Sequence, residues 1–118
     1  MARARTRMTR VQQVARCLED YFPVGRPVRI FWSRRKFTDV GGWELAGYCE
    51  TDKKSYRIFL SFAGNPSINA AVDTLIHEWA HLLSGLNCSR HDGPWSEWHG
   101  RICGFLYDDA GLVLADEY

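Results

Sequence analysis

A chain of 118 residues, 46% hydrophobic and 25% charged, is the size of one domain and can bury an ordinary core without disulfide staples. No apolar run approaches the roughly 18 residues of a membrane span, and no apolar signal segment follows the arginine-rich start "MARARTRMTR". The expectation is a soluble, cytoplasmic protein that makes no membrane contact. The net charge of +1 hides an asymmetry: the first 36 residues hold ten Arg/Lys against two acids, and the remaining 82 hold five against twelve. A basic N-terminal region set against an acidic body suggests a polyanion or an acidic partner there; for DNA it argues for contact through phosphates at most, not for base recognition. A solvated basic tail over residues 1–9 is the plainer alternative. The four cysteines, Cys17, Cys49, Cys88 and Cys103, form no C-x-x-C pair, which fits reduced thiols.

In chain order, Val11, Val14, Leu18, Tyr21 and Phe22 fall at helical spacing over residues 9–22, and "PVGRP" ends that helix. "VRIFW" (28–32), "WELAGYCE" (43–50) and "YRIFLSF" (56–62) read as three strands, most economically a short antiparallel meander. "NPSINAAVDTLIHEWAHLLSGL" reads as a long helix, with Asn65 as N-cap, Pro66 in the first turn and Gly85 closing the far end. "GPWSEWHGRICGFLY" starts with Pro94 and reads as a final helix, and "GLVLA" (111–115) as a short strand or extended tail. The fold class expected is α+β, about three helices packed with a small antiparallel sheet.

"HEWAH", residues 77–81, carries the chemistry. On a helical wheel Ile68, Ala71, Val72, Leu75, Ile76, Trp79, Leu82, Leu83 and Leu86 form the core face. His77 and His81 fall together on the opposite side, Asp73 lies one turn earlier, and Glu78 sits at the margin. Imidazoles at i and i+4 can meet one metal ion, and the adjacent glutamate can act on a metal-bound water as general base. So short a match arises by chance, and the capped helix and preceding strand are what favour the metal-binding reading.

A catalytic zinc takes a third protein ligand and keeps one position for water. His91, in the polar stretch "NCSRHDGPW", has the reach to fold back over His77 and His81 and is favoured. Cys88, His99, Asp92 and Glu97 remain candidates. Cys88 reads more simply as a small buried thiol, His99 as packing beside Trp95 and Trp98, and Asp92 as a cap or a ligand-orienting carboxylate. Asp73 could orient His77. Tyr48, Tyr56 and Tyr107 each offer a phenol that could serve an oxyanion, and nothing in the sequence chooses among them.

"DTLIHEWAHLLSG" followed by "HDGPWSEWHGRICGFLY" resembles the SprT-like zinc metalloprotease domain, including the small versions found in phage genomes. The likeness covers about residues 10–107, with "VRIFWS", "LAGYCE" and "YRIFLS" matching short strands ahead of the metal helix. It implies a zincin-like fold, with His77, His81 and His91 as Zn2+ ligands and Glu78 as the catalytic acid/base. It also implies a protein or peptide substrate lying extended along a strand, such as "YRIFLS", and a task near DNA-associated proteins. For a phage-encoded chain the compartment would be the host cytoplasm. Two departures stand out: Asp92 separates His91 from the glycine that usually follows directly, and no cysteine pairs exist for a zinc ribbon. Two other readings are a non-catalytic, zinc-stabilised nucleic-acid-binding module, closed by a fourth ligand such as Cys88, and a zinc hydrolase acting on a non-peptide bond.

Overall fold

The computed structural model describes residues 3–85 and 91–109. The elements run α1 (Ala4–Tyr21), β1 (Val28–Ser33), β2 (Phe37–Thr38), β3 (Glu44–Leu45), β4 (Gly47–Thr51), β5 (Tyr56–Ser61), α2 (Ile68–Ser84), α3 (Pro94–Cys103) and a π-helical extension, Gly104–Asp109. The α+β class is as expected. The expected strand over 111–115, Leu86 and Cys88 lie outside the described residues.

The sheet corrects the antiparallel meander. Its order is β1-β5-β4, with β5 antiparallel to β4 but parallel to β1. The excursion through the β2–β3 hairpin carries the chain away from β1 and returns it as β4, leaving a slot that β5 fills. The most apolar strand takes the centre: Ile58 and Leu60 are fully buried, and both their backbone edges are paired. "WELAGYCE" divides at Ala46, whose carbonyl accepts from Ser61 N–H at 3.0 Å and from the Asn65 amide at 2.8 Å.

One face of the sheet meets the helices. Val11, Val14 and Leu18 of α1, Ile58 and Leu60 of β5, Leu75, Ile76 and Trp79 of α2, and Ile102 beyond them form a single core. α1 starts at Ala4, so residues 4–9 of the expected tail are helical, and Arg7 is buried. Arg7 Nη1 donates to the carbonyls of Phe62 (2.8 Å) and Asn65 (2.7 Å), and its guanidinium lies 5.1 Å from the Phe62 ring centre. This arginine of the basic N-terminal region is therefore committed to the fold.

The start of α2 also differs from expectation. Ser67 is the N-cap, accepting from Ala70 N–H at 3.1 Å. Asn65 is instead fully buried, donating to Ala46 and Ser61 carbonyls and accepting from Thr74 Oγ1 at 2.5 Å. It joins the ends of β3 and β5 to the second turn of α2. Gly47 lets β4 run close to α2: a Cβ there would stand 2.6 Å from Phe59 O and 2.8 Å from Thr74 Cγ2. Gly85, at φ 102°, ends α2 as expected.

Candidate metal centre

α2 presents His77 and His81 one turn apart on its half-buried side, away from the Leu75–Ile76–Trp79 stripe. His91, exposed and just ahead of α3, folds back over them. Ligand nitrogens of the three rings all lie within 4.8 Å of one another, and His81 Nε2 is 3.1 Å from His91 Nε2. Two nitrogens each about 2.0–2.1 Å from one tetrahedral ion stand about 3.3 Å apart. The triad therefore fits a metal ion by donor type and by spacing. Among the described residues no other Cys, His, Asp or Glu belongs to this cluster.

Trp95, 8% exposed at the second position of α3, floors the triad. Its ring centre lies 5.0 Å from that of His77, 5.7 Å from His81 and 4.7 Å from His91, and its Nε1 donates to the His77 carbonyl at 3.1 Å. Pro94 at the first position and Gly93 at φ 54° as N-cap set the turn between His91 and this ring. His99 stacks on Trp95 at 4.7 Å and stays outside the triad.

Glu78, placed at the margin by the wheel, is buried at 6% exposed. Burial in an apolar wall raises its carboxyl from 4.5 to about 7, against a hydrogen bond from the Cys49 thiol that favours the charged form. Cys49 partners this carboxylate, and burial beside Glu78 pushes its thiol well up. His77 moves the other way, down to about 4, because burial and the neighbouring His81, His91 and His99 all oppose a charge on it. In the metal-free protein His77 is thus neutral at pH 7, the form that binds metal.

The remaining expectations resolve individually. Asp73 is exposed and accepts from Tyr107 OH at 3.3 Å, so among the described residues its partner is that phenol and not His77. Asp92 is exposed and is not the cap of α3, whose N-cap is Gly93 with no side-chain cap bond. Glu97 pairs with Arg101 at 2.7 Å on the outside of α3. Tyr48 lies on the opposite face of the sheet, against Phe59, and Tyr56 under Arg26. Trp95 is expected from sequence as core or cleft wall, and its place under all three imidazoles is the finer finding; Cys49 as partner of Glu78 was missed. The four-residue spacing of His91 and Trp95 was the available signal for the first, and a pairing across elements leaves none for the second.

An open cleft at the triad is lined by Leu45, Gly47, Asp73, His77, Glu78 and His91 among others. Among the described residues the free sheet edge beside it belongs to β4. "YRIFLS" is paired on both sides as β5, so it cannot receive an added strand. No helix among the described residues is long and apolar enough to cross a membrane. No family model, curated protein or solved structure matches this chain.

Proposed function

We propose that this protein is a zinc-dependent metallopeptidase of SprT-like, zincin-like type, in which His77, His81 and His91 hold Zn2+ and Glu78 is the general acid/base. The observation that carries this reading is the convergence of three imidazoles beside a buried carboxyl group at an open cleft. Zinc bound there would supply Lewis acidity toward a carbonyl oxygen and make a water acidic enough to react near neutral pH.

The chain's own residues do the rest. Glu78 accepts the proton of the attacking water as the new C–O bond forms, then delivers it to the amine nitrogen as the C–N bond breaks. A carboxyl group held at about 7 by burial exchanges protons readily in both directions at neutral pH. The Cys49 thiol hydrogen-bonds to it. Trp95 holds the imidazoles in place and excludes water from their undersides. The outer edge of β4, unpaired among the described residues, offers backbone donors and acceptors to an extended polypeptide beside the cleft that Gly47, His77 and Glu78 line.

A closed, purely structural zinc site would need a fourth ligand such as Cys88, which lies outside the described residues. The open cleft at the triad and the buried Glu78 carboxyl are what support the catalytic reading. The test is Glu78→Gln: zinc content should stay at the parent level while cleavage of an unfolded protein substrate falls by at least about 100-fold. Cleavage at the parent rate would exclude the mechanism.

A further inference from the structure

Successive residues of β4 face opposite sides of the sheet. Positions 47 and 49 face the helices, Gly47 against Thr74 of α2 and Cys49 against Glu78. Tyr48, between them, points the other way, stacked on Phe59 at 4.7 Å with planes 15° apart and met edge-on by Phe37 at 4.9 Å. Beside its ring lies a hollow of about 520 Å³ lined by Lys36, Phe37, Thr38, Leu45 and Tyr48. Leu45 lines this hollow and also the cleft that His77, Glu78 and His91 line. The two cavities are therefore neighbours across the β3–β4 run.

The lining of the hollow favours an apolar group. Phe37, Leu45 and Tyr48 are each half-buried, so part of every one of these side chains still meets solvent. The single formal charge on the lining, Lys36, is met by Glu44 at 3.3 Å. A carboxylate entering the hollow would compete with Glu44, and a cation would have to displace Lys36 from it. An aromatic or large aliphatic side chain incurs neither cost and gains contact with two rings.

We propose that this hollow is a side-chain subsite for one large apolar residue of the substrate, filled as the polypeptide pairs with the outer edge of β4. The proposal rests on the peptidase reading of the cleft. In an added strand, successive side chains point to opposite faces of the sheet. Residues paired beside positions 47 and 49 face the cleft. The residue between them, paired beside Tyr48, lies on the outer face with its Cβ about 5 Å from that of Tyr48. The side chain selected on the outer face thus belongs to the immediate neighbour of those facing the cleft. The substrate class that follows is unfolded polypeptide, in which an extended backbone and an unburied aromatic or leucine side chain occur together. A second copy of this chain, pairing β4 with β4, would cover the same edge and is separated from the substrate by the test.

Peptide binding by the Glu78→Gln protein, supplied with zinc, reads the subsite without hydrolysis, so it fails or succeeds separately from the cleavage chemistry. Fluorescence anisotropy would compare labelled Gly/Ser/Thr peptides of about twelve residues carrying one central Phe, Leu, Ala, Glu or Lys. Phe and Leu should bind tightest, at least about ten-fold above the other three. Thr38 is exposed and stands opposite Glu44 in the hairpin, so Thr38→Lys leaves the fold intact while bringing a charge to the hollow. It should cut the Phe advantage at least about five-fold and leave the Ala peptide unchanged. Tyr48→Ala should also reduce that advantage. N-methylation of alternate backbone amides in the Phe peptide should abolish binding in one of its two phases, the phase whose N–H groups face β4. No measurable binding of the Phe peptide, equal affinity for Phe and Ala, or tightest binding of Glu or Lys would overturn the proposal. So would an unchanged Phe advantage in Thr38→Lys, indifference to both N-methylated phases, or sedimentation showing a dimer that the Phe peptide does not dissociate.

Discussion

The indole Nε1–H of Trp95 donates to the backbone carbonyl of His77 at 3.1 Å, which ties the first turn of α3 to the metal helix at the residue that begins the triad. Because the same ring underlies His77, His81 and His91, the hydrogen bond sets both the height and the tilt of the floor on which the imidazoles rest. Trp95→Phe keeps an aromatic floor and removes the bond. It should weaken zinc affinity by about 10-fold and lower stability by about 1 kcal/mol, read by competition with a chromogenic chelator and by urea unfolding. Affinity equal to that of the parent would mean that the imidazoles orient themselves.

Asn65 is expected to matter more for stability than Ser67, although Ser67 is the helix cap. Asn65→Ala would leave the Ala46 and Ser61 carbonyls and the Thr74 hydroxyl short of a buried partner. The expected cost is about 3 kcal/mol or more, against about 1 kcal/mol for Ser67→Ala. Chemical unfolding of both variants gives the ranking, and the reverse order would contradict the assigned role of Asn65 as the joint between strands and metal helix.

The acid response of the metal-free protein follows from two shifts of opposite sign. His77 is lowered from 6.5 to about 4, so the folded state binds fewer protons there, and stability is lost as pH falls from about 6.5 toward about 4. Glu78 is raised from 4.5 to about 7, so the folded state binds more protons there, and stability is lost as pH rises from about 4.5 toward about 7. The two oppose each other over the shared window. Glu78→Gln removes the second, so the chelator-treated variant should exceed the parent in stability at pH 7.5, by an amount on the order of 3 kcal/mol at most. It should also destabilise more steeply on acidification. Thermal unfolding from pH 5 to 8 reads both effects, and parallel curves for variant and parent would contradict the shift on Glu78.

How far the sequence anticipates this structure depends on the range of each interaction. The core face of α2 from Ile68 to Leu82 was legible because burial repeats with the helical period, and that period also put His77 and His81 together on the other side. His91 was placed by its reach from a polar stretch after the helix. The topology was not legible: hydrophobic alternation marks β5 as a strand but carries nothing about whether β1 or β4 pairs with it, or in which sense. Asn65 was misread because Asn before Pro is a strong local capping signal, while its actual partners, Ala46, Ser61 and Thr74, come from three elements. Glu78 looked marginal on the wheel because its burial is supplied by β4, through the close approach that Gly47 permits. Arg7 looked like part of a tail because no local pattern shows that Phe62 and Asn65 bring their carbonyls to it.

The account rests on the meeting of His77, His81 and His91, and zinc content per chain in the parent beside His91→Ala tests it most directly. The parent should hold one zinc per chain after gel filtration, and His91→Ala should lose most of it at the same protein concentration while keeping its helical circular dichroism. Full retention of zinc by His91→Ala would remove His91 from the ligand set, and the open three-histidine centre with it.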